Sequence, residues 1–150
     1  MTREERCKLA IERGYTYNPE SGKVYKKDGK EVTYNIKGYY VLWVYLNYKT
    51  YILYTHHFAW FCVYGNCNIE QIDHINGIRT DNRICNLRNV THQQNQWNRT
   101  KAKGYYYNTP RNKWRAVIRL NNKDIHLGYF TSEQEARQSY LKAKQQYHVI

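Results

Sequence analysis

No run of apolar residues in this chain of 150 approaches the roughly 20 that a membrane-spanning helix needs, which excludes an integral helical membrane protein. The opening stretch MTREERCKLAIERG is charged and lacks the apolar core of a secretory signal, so a cytoplasmic location is expected. Acidic residues are scarce: 12 Asp and Glu stand against 24 Lys and Arg, a formal net charge of +12. No CxxC pair occurs among Cys7, Cys62, Cys67 and Cys85, and two-plus-two zinc spacing is missing. Buried, reduced thiols are therefore expected, the alternative being a zinc site built by Cys62, Cys67, Cys85 and a histidine. No heptad pattern or apolar stripe marks an obligate protein partner, so a monomer is expected and a dimer stays open. Disorder is excluded by what is present, since 41% hydrophobic and 16% aromatic residues can build a core. A chain this basic and this ordered points first to nucleic acid as its partner.

The length allows one domain or two to three very small ones. Net charge divides them unevenly, at +4 over residues 1–50, +1 over 51–100 and +7 over 101–150. The electrostatic footprint thus lies in the last third, and the middle must be informative for another reason. In the first third, a short helix is expected around Glu4–Arg13. Turns at Pro19–Gly22 and Asp28-Gly29 flank short strands, and GYYVLWVYLNYKTYILY reads as a hairpin turned near Asn47–Lys49. Thr55 is placed to cap a helix, HHFAWFCVYG, that Gly65 ends.

The middle third, IEQIDHINGIRTDNRICNLRNVTHQQNQWNRT, predicts a strand at Gln71–Ile75, a loop from Asn76-Gly77, a strand at Leu87–Val90 and a helix over Thr91–Arg99. Thr91 with Gln94 makes a capping box for that helix. Asp73 and His74 fall on the first strand and Asn95 one turn into the helix. An imidazole titrates near neutrality and can take a proton from water, while a carboxylate and an amide oxygen are hard donors suited to Mg²⁺ or Mn²⁺. Adjacent strand residues point to opposite faces, so a shared metal requires a twist or bulge at Asp73-His74, or a metal at the strand's edge.

This segment resembles the HNH motif of the ββα-metal (His-Me finger) endonucleases, in particular the phage- and intron-encoded ones. The match runs through Asp73-His74-Ile75-Asn76-Gly77, Asp81-Asn82-Arg83, Asn86-Leu87-Arg88, Val90-Thr91 and Asn95, with His56-His57-Phe58-Ala59-Trp60 upstream. The resemblance implies that His74 is the general base, that Asp73 and Asn95 hold the metal, and that Asn86 fixes the loop. Asn95 stands where the motif's last histidine would be, and Asn98 one turn on is the rival ligand. His56 and His92 are expected to support the site or touch phosphate. Arg79, Arg83, Arg88 and Arg99 surround the motif, and Arg83, Arg88 and Arg99 are taken as DNA contacts.

In the last third, strands are expected at Tyr105–Tyr107, Lys113–Leu120 and Lys123–Leu127, followed by a helix to Tyr147 capped by Thr131 with Gln134. Ala136, Tyr140, Ala143 and Tyr147 form one helix face that can pack on Trp114, Ala116 and Ile118. Alternation then turns Lys113, Arg115, Val117 and Arg119 outward, a basic sheet face suited to the major groove. Lys103-Gly104, Lys113-Trp114-Arg115-Ala116, Ile118-Arg119, His126-Leu127-Gly128-Tyr129-Phe130 and Glu133–Ala143 resemble the DNA-binding domain of plant ethylene-response factors. That resemblance implies base contacts from Arg111, Lys113, Arg115 and Arg119, with His126 where the plant domain carries tryptophan. Tyr106 and Asn108 replace its first-strand arginines, so its target sequence does not transfer.

The expectation is an α+β protein: an N-terminal β-rich scaffold (1–50), a ββα-metal nuclease core (51–100), and a C-terminal three-stranded antiparallel sheet packed on one helix (101–150). The resemblances imply a metal-dependent endonuclease of homing type, phage-encoded and acting on double-stranded DNA in a bacterial host. Two alternatives stay open. One is a DNA-binding regulator with an inert centre, against which intact Asp73, His74 and Asn95 stand. The other is an RNA-binding protein using its 17 tyrosines for stacking.

Overall fold

The first helix, α1 (Arg3–Glu12), is fixed at its start by a reciprocal cap: the Thr2 side chain accepts from Glu5 N, and the Glu5 carboxylate accepts from Thr2 N. It buries Cys7, Leu9 and Ala10. In the computed structural model, which describes residues 1–98 and 103–150, this helix opens the first of two compact units, Met1–Thr91 and His92–Ile150.

Behind α1 come a two-stranded ladder, β1 (Thr16–Tyr17) with β2 (Val24–Tyr25), and a three-stranded sheet in the order β3 (Asn35–Ile36), β4 (Tyr39–Leu46), β5 (Lys49–Tyr54). Both hairpin turns of that sheet use two residues of positive φ, Lys37-Gly38 and Asn47-Tyr48. Such turns follow the right-handed twist of the strands they join. Along β4, Leu42 and Val44 are buried while Trp43 and Tyr45 are exposed. The chain passes from β5 straight into α2 (Thr55–Tyr64), which Gly65 ends in the left-handed conformation. Thr55 does not cap it. The cap position is Tyr54, without a side-chain bond, because the Thr55 hydroxyl turns inward and donates to the Tyr40 carbonyl at 3.0 Å. Phe58 and Phe61 of α2 complete a core with Cys7, Leu9, Ala10, Val24, Val32, Leu42, Val44 and Leu53. The segment expected as scaffold and the helix expected before the motif therefore share one core.

The unit closes with β6 (Gln71–His74) antiparallel to β7 (Leu87–Val90). Their register runs without a shift, Asp73 opposite Arg88 and His74 opposite Leu87. Of the two ways to bring Asp73 and His74 toward one metal, the bulge is thus absent and the strand edge remains. The expectation of buried thiols needs correction: only Cys7 is buried, Cys67 is partly so, and Cys62 and Cys85 are exposed. Cys62 lies on the outward side of α2 and Cys85 in a surface 3₁₀ turn, Ile84–Asn86, positions that periodicity alone did not assign.

The second unit begins with α3 (His92–Trp97) and continues with β8 (Tyr105–Asn108), β9 (Lys113–Leu120), β10 (Lys123–Phe130) and α4 (Glu133–Tyr147). The sheet order is β10-β9-β8, all antiparallel, with a bulge between His126 and Gly128. The cap of α4 is Ser132, which accepts from Glu135 N, and not Thr131 one residue earlier. Tyr140 and Ala143 pack with Ile118, and Ala136 one turn earlier is buried on the same helix face, as the helical spacing predicted. Arg99, one of the expected DNA contacts, lies outside the described residues. Among the described residues, no helix is long and apolar enough to cross a membrane.

Gly22 shows how tightly the first unit is built. Its φ is +72°, and a Cβ there would come within 2.3 Å of Arg83 N and 2.6 Å of the Asn82 carbonyl carbon. Gly29 has a similar φ of +81° but nothing within 4 Å. Left-handed strain alone costs about 1 kcal/mol, and forced overpacking roughly 1–3 kcal/mol more. Urea unfolding should therefore show Gly29→Ala losing about 1 kcal/mol and Gly22→Ala about 3 kcal/mol.

Candidate active site

Strand β6 ends in two residues of opposite orientation that are both buried, Asp73 at 6% and His74 at 5% exposure. Each is covered by a different partner. Asp73 shares its side of the ladder with Arg88, whose Nε and Nη2 both donate to Oδ2, at 2.9 and 2.8 Å. A buried carboxylate needs such compensation, and both bonds converge on its Oδ2. His74 turns the other way, with Nε2 2.9 Å from Asn82 Oδ1 and its ring edge-on to His56 at 5.3 Å and tilted against Tyr39 at 6.0 Å.

Burial pulls the His74 pKa below its ordinary value, opposed in part by the bond to Asn82 and the Asp73 charge. The ring is therefore neutral at pH 7 and able to accept a proton. His56 is held well below 6.5 by burial and by the neighbouring His57, and its Nδ1 is buried without a hydrogen-bond partner. Burial lowers His57 to about 3.

The loop between the strands is locked by Asn86. Its Oδ1 accepts from Asn76 N at 3.0 Å, and its Nδ2 donates to Asn76 Oδ1 at 2.9 Å and to the Asp81 carbonyl at 2.8 Å. Asp81 in turn accepts from Asn76 Nδ2 and from Arg83 Nε and Nη2, which hold its carboxyl at about 2. Arg83 and Arg88, both expected to meet DNA, are thus each paired with a carboxylate. Arg79 donates to the Lys37 carbonyl at 3.0 Å and stands 5.0 Å over the Tyr39 ring, the same ring that touches His74.

Of the expected site residues, the first unit brings together His56, Asp73, His74, Asn86 and Arg88. Asn95 and His92 lie on α3, in the second unit, where Gln96 Nε2 donates to His92 Nε2 at 3.3 Å. Among the described residues, no group of three or more His, Cys, Asp or Glu is placed to share a metal. Zinc bound through Cys62, Cys67 and Cys85 is thereby excluded among them.

The outer sheet face of the second unit holds the remaining candidates. Arg115 donates from Nε to His126 Nδ1 at 3.2 Å and from Nη1 to the Tyr106 hydroxyl at 2.9 Å. Arg111 lies 4.5 Å over the Tyr129 ring, and Arg119 pairs with Asp124 at 3.3 Å. Lys113 is exposed at the start of β9.

Residues 53–97 match the family model described as HNH endonuclease. An HNH-type endonuclease domain therefore occupies this part of the chain. The solved structure titled "DNA binding and cleavage by the HNH homing endonuclease I-HmuI" is similar at 27% identity and a TM-score of 0.46, over 56% of this chain and 50% of that one. The chain thus spans about half the length of that structure. No curated protein matches.

The HNH segment contains contributors that the sequence did not single out. Asn82 and Thr55 are each 1% exposed and bonded to one another, Asn82 Nδ2 donating to Thr55 Oγ1 at 2.8 Å. Asn82 sits inside the matched Asp81-Asn82-Arg83, yet nothing in that tripeptide tells which of the three turns inward. Only the buried surroundings do.

The histidines also carry a pH signature. His56 and His57 have folded pKa values below 6.5, so between that value and their folded ones the unfolded chain binds more protons. Stability is then complete above pH 6.5 and falls as pH drops below it. Each histidine fully titrated only in the unfolded state removes about 1.4 kcal/mol per pH unit. Thermal unfolding should show Tm falling from pH 7 to pH 5, with a shallower fall in His57→Gln.

Proposed function

We propose that the chain is a metal-dependent endonuclease of the HNH type that hydrolyses phosphodiester bonds of double-stranded DNA. The observation that carries this reading is the pair at the end of β6: a buried, neutral imidazole beside a carboxylate immobilised by Arg88, within the segment that matches HNH endonucleases. His74 takes the proton of the attacking water. Asp73 and Asn95 supply hard oxygen donors that fit Mg²⁺ or Mn²⁺, and Asn98 is the rival to Asn95. Such a cation, when bound, neutralises charge developing on the leaving 3′-oxygen. Asn86 keeps the loop that follows the base in one shape, and Arg88 keeps Asp73 in one orientation. His56 and His92 support the site or meet phosphate.

Residues 101–150 form the DNA-reading module of this proposal, with Arg111, Lys113, Arg115, Arg119 and His126 on the face turned to the duplex. The net charge of +7 over this third supports it, because phosphate neutralisation supplies most non-specific affinity. The plant-type resemblance of this module and the homing, phage-encoded character of the whole belong to the same proposal, as does action in the cytoplasm of a bacterial host. One centre of this kind cuts one strand, so a monomer nicks.

Supercoiled plasmid carrying DNA of the presumed host or phage tests the reading. The native protein with Mg²⁺ or Mn²⁺ should convert it to the nicked form, and EDTA should stop the reaction. His74→Ala should lower the rate at least about 100-fold, the span of lost general-base catalysis. Intact plasmid under tight binding would favour the DNA-binding regulator instead. Separately, Arg115→Ala should weaken duplex binding in filter or anisotropy assays and reduce the log–log salt slope by about 1. An unchanged slope would remove Arg115 from the phosphate contacts.

A further inference from the structure

Four large aromatic side chains of the first unit stand in solvent on or beside the β4–β5 hairpin: Tyr34 at 56% exposure, Trp43 at 39%, Tyr45 at 54% and Tyr48 at 96%. Trp43 and Tyr45 lie two residues apart on the outward side of β4, so their side chains leave the strand about 7 Å apart. Tyr34 leans on Trp43, with ring centroids 4.4 Å apart. Tyr48 takes the second place in the hairpin turn at φ +61°, a left-handed conformation that glycine adopts freely and a bulky side chain rarely does. The turn thus carries strain for a ring that has no part in the core.

Unmatched cations stand beside these rings. Two adjoining cavities of about 380 and 440 Å³ share Tyr15, Lys26 and Trp43; Tyr34 lines the first, and Arg13, Lys27 and Tyr45 line the second. Their carboxylates are already paired, Glu31 with Lys23 at 3.0 Å and Asp28 with Lys30 at 3.7 Å. Arg13, Lys26 and Lys27 are exposed, and among the described residues none of the three forms an ion pair.

Exposed rings and unmatched cations are the two halves of a single-strand site, since bases stack on the first and phosphates meet the second. A duplex keeps its base faces inside its own stack, about 3.4 Å apart along each strand, and has none to offer these rings. A peptide added as a further strand is disfavoured too. β3 covers β4 only at Tyr39 and Tyr40, and beyond them the edge carbonyls are taken: Trp43 O accepts from the Tyr15 hydroxyl and Tyr45 O from Arg13 Nη2, both at 3.3 Å.

We propose that the outer face of the β4–β5 hairpin binds single-stranded DNA, with Tyr34, Trp43, Tyr45 and Tyr48 as stacking rings and Arg13, Lys26 and Lys27 as phosphate contacts. The face uses no residue of the catalytic centre or of the duplex-reading module. The choice of DNA over RNA rests on the nuclease reading; the binding itself does not.

Cross-linking locates the strand. Native protein in EDTA is irradiated with a short oligothymidine carrying 5-iododeoxyuridine, in the presence of excess duplex to occupy residues 101–150. Peptide mapping should place adducts on Tyr34, Trp43, Tyr45 or Tyr48. Adducts confined to residues 101–150, or none, overturn the proposal. Anisotropy of the same oligomer then measures affinity. Trp43→Ala combined with Tyr45→Ala should weaken binding at least about 10-fold, as lost base stacking requires. Lys26→Gln combined with Lys27→Gln should flatten the log–log salt slope by about 1.4, at roughly 0.7 per contact on a single strand. Tyr48→Gly relieves the turn and should hold its Tm, so its loss of affinity reports the missing ring and not a folding defect. Native affinity and slope in these variants would overturn the proposal, and tighter binding of oligouridine RNA would overturn its assignment to DNA. Should native protein cleave no plasmid, the nuclease reading fails while the cross-link still decides this one.

Discussion

The hydroxyl of Thr55 is claimed by two neighbours at once, the Tyr40 carbonyl on β4 and the Asn82 amide in the loop after β6. Through it, three stretches far apart in sequence agree on one geometry: the sheet of the first half, the start of α2, and the loop that carries Asn82 to His74. Every polar atom along this path has its partner, which is what allows residues 1% exposed to be polar at all. Removing one member strands the others, and a stranded buried amide costs about 1–3 kcal/mol. The same demand explains why Thr55 cannot also cap its helix. A hydroxyl that reaches back to β4 and accepts from Asn82 has no geometry left for the exposed N–H groups of α2, and the helix starts without a side-chain cap.

Adjacent positions on a strand face opposite ways, and at Asp73-His74 this gives two chemistries two separate environments. The carboxylate is buried against a guanidinium that compensates its charge, both of its donors on Oδ2. The imidazole is buried among aromatic rings and other neutral histidines, and burial suppresses its charge instead. Had both residues shared one face, Arg88 and Asn82 would compete for the same space and the two charges would be coupled. A regular ladder with a partner on each side gives the carboxylate a guanidinium to pair with and leaves the imidazole to desolvation, one residue apart.

Much of the architecture was legible because periodicity and turn chemistry are local. The Asn47-Tyr48 and Asn121-Asn122 turns, the strand Leu87–Val90 and the helix face Ala136, Tyr140, Ala143 lie where alternation and helical spacing put them. What stayed hidden depends on a choice between equivalent neighbours. Thr131 and Ser132 are both residues that cap helices, and it is Ser132 whose hydroxyl accepts from Glu135 N. Cys62 and Cys85 are apolar enough to bury, yet α2 and the 3₁₀ turn leave them outside. Within Asp81-Asn82-Arg83, one residue faces His74 while the other two pair with each other. Residue type and spacing locate Asp73, His74 and Asn86; they do not state that Arg88 grips one of them and Asn82 another. Those contacts belong to the tertiary fold.

The basic face of the second unit illustrates a further division. Arg119 and Asp124 form an ion pair with both side chains more than half exposed, an arrangement worth little against solvent and one that yields to a stronger anion. Arg115 is different, gripped by the Tyr106 hydroxyl and His126 Nδ1 on either side. A guanidinium already ordered loses less side-chain entropy whenever it meets a further partner. Arg111, stacked 4.5 Å over Tyr129, shares that property. Charge density alone would rank Lys113, Arg115 and Arg119 alike. Pre-organisation separates the last two: Arg115 is held from both sides, and Arg119 is tied to an exposed carboxylate.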